Sequence, residues 1–383
     1  MQHSNSLLLL TALFLLPSLG ACSNPTLSVD VSVSWSSYFA KKDRDTVLAK
    51  MNEIASSKAK DLGFRFNFKP VEKDADLDLG ITVPMLESLP FDYLGLPANT
   101  INAIGDTAYL PCVNQFVEKG LTRNKFIPLS ITVSGFVYKQ TDYPNGFASF
   151  QNLVDQVSDK GGLIGVGNDF LLSLFIGNKT IDLADCDKLD GEGKPIWANK
   201  DLEDYYASIN ETLCSNGLVR DASIVDYNFI LENHGVLSAY MASKDYYGED
   251  MVFSLFPKID LGGGKSINPG TLGVLYGASF PSKTSLNEKQ REAVSTLLMS
   301  LEGEDPSFNP SFLPIQDSSY SKDAFKAMAE DMRTKPNVSA LHAGVGFFAA
   351  SDFMVTLINE HKEGFSFTDR FEELYEHRSN SGE

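Results

Sequence analysis

The chain has 383 residues, of which 43% are hydrophobic, and this is enough for two domains with separate cores. Large apolar and aromatic residues recur throughout, which excludes a disordered chain. The formal net charge of −18 would repel a phosphate backbone, so the composition predicts no nucleic-acid partner.

The N-terminus has the pattern of an export signal, predicted over residues 1–22. An apolar run, Leu7 to Leu16, is too short to span a bilayer and leads into Leu-Gly-Ala-Cys at 19–22. These four residues resemble the bacterial lipoprotein box, in which the cysteine is lipidated after cleavage, although the n-region carries no Lys or Arg. Cys22 is therefore a candidate lipid anchor, and ordinary cleavage near Ala21 is the alternative. Both alternatives predict an exported protein, in the periplasm or at the cell surface.

Export also decides how the other cysteines are interpreted. In an oxidising compartment one disulfide is expected, and Cys186 with Cys214 is the pair nearest in sequence. Cys112 follows Leu110 and Pro111 in an apolar setting, which favours a small buried hydrophobe over a catalytic nucleophile.

The first part of the mature chain alternates strand and helix patterns. The sequence LSVDVSVS alternates with period two up to Trp35, and apolar residues at helical spacing follow it as far as Gly63. Strand, helix and strand in this order favour a parallel sheet with helices on its faces. The patterns predict a strand at Leu27 to Ser34, a helix at Asp43 to Asp61, and strands at Phe64 to Phe68 and Leu77 to Val83.

The stretch FIPLSITVSGFVYK, Phe126 to Lys139, is β-branched and aromatic, and its Pro128 fits a strand start or edge. We interpret it as a strand that leaves one lobe and enters a second. Thr271 to Phe280 is a second candidate crossing, followed by the helix Asn287 to Leu301. The predicted lobes are residues 23–134 with 272–318, and residues 135–271 with 319–383.

The second part of the chain is more irregular. Two glycine-rich stretches, Gly161 to Asn168 and Asp260 to Ser266, are predicted as a connection and a loop. The other predicted elements are helices at Ser149 to Lys160, Trp197 to Cys214, Ser223 to Leu231, Ala324 to Met332, Ala340 to Glu360 and Asp369 to His377, and strands at Val236 to Tyr240 and Met251 to Phe256.

Known site motifs are absent, and the sequence predicts no metal and no cofactor. The five histidines are scattered, and the acidic loop around Asp182 to Glu192 lacks the order of a calcium-binding loop, so a solvated loop is favoured over a loose calcium site.

Aromatic side chains near strand ends can stack on a sugar or planar ring. With two hydroxyl residues of the crossing strand, they form the predicted ligand-binding set: Trp35, Tyr38, Thr132, Ser134, Tyr138, Tyr240 and Tyr276.

Several segments together resemble the type II periplasmic solute-binding superfamily, and within it thiaminase I most of all. They are ADLDLGITV, FIPLSITVSGFVYK, ENHG, FPSKT and FLPIQDSSY. The resemblance implies a nucleophilic cysteine where this chain has Thr132. It also implies an acid just after Tyr240, where residues 241–243 carry no carboxylate, and aspartates at the positions of Val83 and Tyr276. A hydroxyl without a base is a poor nucleophile, so the departures argue against the enzyme's chemistry.

The sequence therefore predicts an α/β, two-lobed periplasmic-binding-protein (type II) fold, with a central sheet in each lobe and hinge strands between them. Such a protein captures a small organic ligand in the interlobe cleft by hinge closure, as a monomer, and delivers it to a membrane permease. No catalytic residue is assigned. The alternatives are a divergent thiaminase-like transferase or hydrolase using Cys112 or Thr132, and a surface interaction protein that has lost the cleft.

Overall fold

A computed structural model describes the greater part of the chain. The described residues are 27–35, 41–71, 77–82, 92–118, 124–167, 169–170, 173–174, 190–191, 213, 217–221, 226–241, 247–248, 250–262, 264–305, 312–316 and 338–340. Several predictions lie outside these residues. They concern the export signal with Cys22, Tyr38, the Cys186–Cys214 pair, the helix predicted from Trp197 apart from Leu213, and the helices predicted after residue 323 apart from Ala340.

The described residues contain twelve strands, seven of them predicted from the sequence. They are β1 (Leu27–Trp35), β2 (Phe64–Pro70), β3 (Leu79–Thr82), β4 (Ile127–Lys139), β5 (Ile164–Val166), β6 (Val219–Asp221), β7 (Val236–Tyr240), β8 (Met251–Ser254), β9 (Ile259–Gly262), β10 (Lys265–Ile267), β11 (Thr271–Ser279) and β12 (Val338–Ala340).

The helices begin and end at residues whose side chains or backbone favour a terminus. Ser149 and Asn287 each accept a hydrogen bond from an amide of the first helical turn, and Gly63 ends its helix with φ 72°. The helices are α1 (Lys41–Ser57), α2 (Ala59–Leu62), α3 (Ala98–Asp106), α4 (Pro111–Glu118), α5 (Phe150–Asp159), α6 (Tyr227–Glu232) and α7 (Glu288–Glu304).

One hydrogen-bonded sheet connects most of the strands, in the order β2-β1-β3-β11-β4-β7-β5-β6, with β12 beside β11 and β8 beside β4. On one side of β4, β1 runs parallel to β2 and to β3, as predicted. On the other side, β5 runs parallel to β6 and to β7. Because β11 is antiparallel to both β3 and β4, β3 and β4 point the same way.

Strand β4 joins these two groups of strands. Its first half pairs with β11, from Ile127 opposite Ala278 to Val133 opposite Gly273. Its second half pairs with β7 on one edge and with β8 on the other, starting at Ser134 opposite Tyr240. The strand therefore changes partners between Val133 and Ser134. This is the behaviour predicted for a strand that leaves one group and enters another.

The core lies on both faces of this sheet. Helices α1 and α7 pack against each other and against the β2 side of the sheet. Beyond the change of partners, the Phe136 ring meets the rings of Phe170 and Phe256 at 5.4 and 4.9 Å between centroids. One cluster of buried side chains joins these two sides, and β4 is buried along all but its last residue.

Two glycine-rich predictions are wrong. Gly161 to Asn168 contains strand β5, whose three residues are buried, and Asp260 to Ser266 lies in the hairpin β9-β10, which turns at Gly264 with φ 78°. Strands of three or four residues with glycine show no alternation, so the pattern could not separate them from loops. Strand β6 also has only three residues and was not predicted. Ala340 was predicted to start a helix, but it is the last residue of β12.

Candidate functional site

The carboxyl ends of strands from both sides of β4 point toward the place where β4 changes partners. Strand β3 runs in the direction of β4 and ends at Thr82, and β1 beside it ends at Trp35. From the other side, β7 runs against β4 and ends at Tyr240, opposite Ser134. Ligands of open α/β sheets lie outside the carboxyl ends of the strands. The junction at Val133 and Ser134 is therefore the candidate site.

A row of hydroxyl residues marks one face of β4 at this junction. Ser130, Thr132 and Ser134 alternate with apolar residues, so their side chains share a face, and each is at most 2% exposed. Cross-strand register adds Tyr276, opposite Ser130, and Tyr240, opposite Ser134. The face thus offers hydroxyl groups and aromatic rings in one row.

The structure brings four of the predicted ligand-binding residues together on this face: Thr132, Ser134, Tyr240 and Tyr276. Trp35 lies at the end of β1, opposite Ile81, and is partly buried. Tyr276 is also a packing residue, since its ring meets Phe312 edge to face at 4.4 Å.

Tyr138 is separated from this group. It lies four residues beyond Ser134, and its ring packs against Tyr143 and Phe147 at 5.9 and 4.8 Å in an aromatic cluster of its own. This placement accounts for Tyr138 as a core residue, and its role in ligand binding stays a prediction.

A buried carboxylate near the junction was not predicted. Asp169 follows β5, and its Oδ1 accepts a hydrogen bond of 2.8 Å from the hydroxyl of Ser238 on β7. The same hydroxyl accepts a bond of 2.7 Å from the amide of Gly167. A Cβ at Gly167 would lie 3.0 Å from Asp169 Oδ1, so a side chain there would crowd the carboxylate. The signal in the sequence was Asp169 just after a parallel strand, and it was missed because β5 was taken for a loop.

The second oxygen of this carboxylate is unusual. Asp169 Oδ2 is buried and has no hydrogen-bond partner among the described residues. Burial raises the pKa of Asp169 to about 6, although the Ser238 hydroxyl and the Phe170 and Asp169 amides favour the charged form. The protein therefore holds a half-satisfied carboxylate beside the junction.

This raised pKa predicts a particular dependence of stability on pH. A folded-state pKa above the ordinary 3.8 means that the folded protein binds the proton more tightly, so the free energy of unfolding falls as pH rises from about 4 to about 6. The full loss is about 3 kcal/mol. We expect Asp169→Asn to remove this loss, so that urea denaturation at pH 8 finds the variant more stable than the parent.

The control is Asp155→Asn in α5. The Asp155 carboxylate is exposed and accepts a hydrogen bond from the side chain of Gln151. The control should follow the parent at every pH. Parallel stability curves for parent and Asp169→Asn between pH 4 and 8 would contradict the prediction.

The described residues contain no group of three His, Cys, Asp or Glu side chains placed to hold a metal ion. Of the acidic loop at 182–192, only Asp190 and Gly191 are described. Cys112, the alternative nucleophile, lies in the first turn of α4. Within the same described ranges, no helix is long and apolar enough to cross a membrane.

Neither a family model nor a curated protein matches the sequence. Solved structures do match. The maltodextrin-binding protein of L. casei BL23 is similar over 91% of this chain and 98% of its own, with a TM-score of 0.64 and 11% identity. The maltose-maltodextrin binding protein of Alicyclobacillus acidocaldarius is similar over 91% and 100%, with a TM-score of 0.60 and 13% identity. The GacH receptor of Streptomyces glaucescens, solved unliganded and with acarbose, is similar over 92% of this chain and 98% of its own, with a TM-score of 0.59 and 13% identity.

The chain has the two-lobed solute-binding fold. The predicted fold class is thereby confirmed. At these identities the likeness shows the fold alone, and the resemblance to thiaminase I stays a prediction.

Proposed function

We propose that this protein is an extracytoplasmic solute-binding protein that captures a small organic ligand between its two lobes. The observation that carries the proposal is the meeting of carboxyl strand ends from both sides at Val133 and Ser134 of β4. The lobes are residues 23–134 with 272–318, and residues 135–271 with 319–383. A cleft at such a junction closes by a hinge motion around the bound ligand.

The ligand-binding face consists of Thr132, Ser134, Tyr240 and Tyr276, with Trp35 at the end of β1; Tyr38, which follows it in the sequence, is proposed as a further contact. Hydroxyl groups supply directional hydrogen bonds, and aromatic rings supply apolar faces, which together suit a small molecule with both kinds of surface. The folds of the sugar-binding proteins named above support this choice of ligand size.

The partners follow from the same proposal. A monomer exported through its N-terminal signal, and held at the membrane through a lipid on Cys22, delivers its ligand to a membrane permease. The Leu-Gly-Ala-Cys sequence at 19–22 supports the anchor. Mass spectrometry of the protein purified from a bacterial membrane fraction tests it, because a lipidated Cys22 adds the mass of its acyl chains.

Thermal unfolding in a library of soluble metabolites tests the binding function. We expect at least one metabolite to stabilise the parent, by about 2.7 kcal/mol at a hundredfold excess over Kd. Tyr240→Ala should lose most of this response, since Tyr240 is the partly exposed aromatic residue opposite Ser134. Leu27→Ser, at the exposed amino end of β1, should keep it. A library that leaves the parent unchanged would overturn the proposal.

The enzyme alternative, a thiaminase-like transferase using Cys112 or Thr132, has its own assay. Thiamine is incubated with the protein and an aromatic amine, and thiamine loss is compared among the parent, Cys112→Ser and Thr132→Val. We expect no loss in any of the three. Loss in the parent that vanishes in one variant would replace the binding function by catalysis.

A further inference from the structure

Asp78 and Asp169, two of the buried aspartates near the described strands, differ in how they are satisfied. Asp78, before β3, accepts bonds on both oxygens: Oδ2 from the Ser32 amide, and Oδ1 from the Thr284 hydroxyl and from the amide and hydroxyl of Ser285. Asp169 accepts a side-chain bond on Oδ1 only, and Oδ2 is left without a partner in the described part of the chain. Asp78 is thus complete within the fold, and Asp169 is not.

Leaving Oδ2 unpaired costs stability. A buried acceptor without a partner loses its hydration and regains nothing, and a charged one loses more. The bond from Ser238, itself held by the Gly167 amide, fixes Oδ1 and thereby sets where Oδ2 points. A carboxylate held in this way, at the carboxyl end of a parallel strand, is the arrangement expected of a group that waits for a donor from outside the chain.

Two tyrosines lie on the other face of strand β7. Burial raises the pKa of Tyr247, the charge of Asp169 raises it further, and Tyr247 packs against the cluster that contains Leu237 and Ala239. The ring of Tyr227, at the start of α6, meets the ring of Tyr247 edge to face at 5.4 Å. The unpaired Oδ2 of Asp169 suits a ligand that carries a hydrogen-bond donor, such as a sugar hydroxyl or an organic ammonium ion.

We propose that Asp169, positioned by Ser238, is a specificity-determining residue that accepts a hydrogen bond on Oδ2 from an O–H or N⁺–H donor of the bound ligand. The inference rests on the proposed function and deepens it, because it assigns a donor-bearing ligand to the cleft. Ser238 lies two residues before Tyr240 at the junction, and an opening of the lobes there would bring Asp169 within reach of the ligand. Closure then buries the pair of donor and carboxylate, where the bond is strongest.

Two probes distinguish a ligand with hydroxyl donors from a ligand with ammonium donors. Maltotriose carries only neutral hydroxyl donors, and spermidine carries only ammonium and amine donors. Affinities of both are measured by isothermal titration calorimetry at pH 8 for the parent, Asp169→Asn, and the exposed control Asp155→Asn. We expect the parent to bind one probe, Asp169→Asn to bind it about tenfold or more weakly, and the control to match the parent. Loss with maltotriose identifies a hydroxyl donor, and loss with spermidine an ammonium donor.

Equal binding by parent and Asp169→Asn would overturn the inference and leave the proposed function standing. Absence of binding of either probe to the parent would also overturn it, and the metabolite library would then decide separately on the proposed function. The variant is expected to be more stable than the parent at pH 8. An Asp169→Asn protein that is less stable there would remove the premise of an unpaired buried charge, and with it the inference.

Discussion

Asp78→Ala is expected to lower the free energy of unfolding by about 3 kcal/mol. The carboxylate ties three segments together, since it accepts bonds from Ser32 on β1 and from Thr284 and Ser285, which precede α7. Asp78 is 5% exposed, whereas Ser32 and Thr284 are half-buried and Ser285 is exposed. The variant loses four hydrogen bonds to a charged acceptor, and the half-buried Ser32 amide is left without its acceptor. Urea denaturation at pH 7 measures the loss.

The matched control is Asp30→Ala on β1. Asp30 also bonds two side chains, Lys69 at 2.7 Å and Asn67 at 2.8 Å, but it is exposed to solvent. Exposed pairs contribute little, so this variant should unfold near the parent. A similar loss in both variants would show that the burial of Asp78 is not what makes its bonds matter.

Gly135→Ala is expected to cost about 3 kcal/mol, because the added methyl group has no room. A Cβ at Gly135 would lie 2.2 Å from the carbonyl oxygen of Ser254 and 2.5 Å from the ring of Phe253. Both belong to β8, so relief requires that β8 move away from β4. Gly135 is the residue after Ser134, and the damage should therefore reach the junction as well as the stability.

Gly105→Ala is the control for the same substitution. Gly105 lies in α3, and a Cβ there would meet no heavy atom within 4 Å. Alanine restricts the unfolded chain and favours the helix, so a gain of about 0.5–1 kcal/mol is expected. If Gly135→Ala unfolded at the same urea concentration as the parent, the tight approach of β8 to β4 would be wrong.

Long, strongly patterned segments made the fold predictable from the sequence. The alternation at Leu27–Trp35 and the β-branched run at Ile127–Lys139 became β1 and β4, and Gly63, Ser149 and Asn287 marked the helix ends where they were expected. These signals are local, because period and capping depend on neighbouring residues. The three-residue strands β5 and β6 have no period, and only the pairing of β5 with β7 and of β6 with β5 defines them.

The sequence predicted those residues of the candidate site that lie on predicted strands, where the strand pairing fixes their neighbours. Thr132, Ser134, Tyr240 and Tyr276 share one face because the pairing of β4 with β7 and β11 fixes their neighbours. Tyr138 carries the same signal as Tyr240 in the sequence, and only the packing of Phe147 and Tyr143 separates the two.

Asp78 and Asp169 show the limit of the sequence most clearly. Each is an aspartate near a strand end, and nothing in the neighbouring residues tells which is satisfied. The difference arises from segments far away in the chain, Thr284 and Ser285 for Asp78 and Ser238 for Asp169. Tertiary hydrogen bonds decide that one carboxylate is structural and leave the other incomplete.

Native mass spectrometry of the protein purified without added ligand tests whether the lobes capture a small molecule, since a closed cleft retains its ligand during purification. We expect a 1:1 adduct in the folded protein that is released on denaturation and reduced in Tyr240→Ala. A folded parent that carries the bare polypeptide mass, and gains no adduct after soaking in the metabolite library, would contradict this expectation.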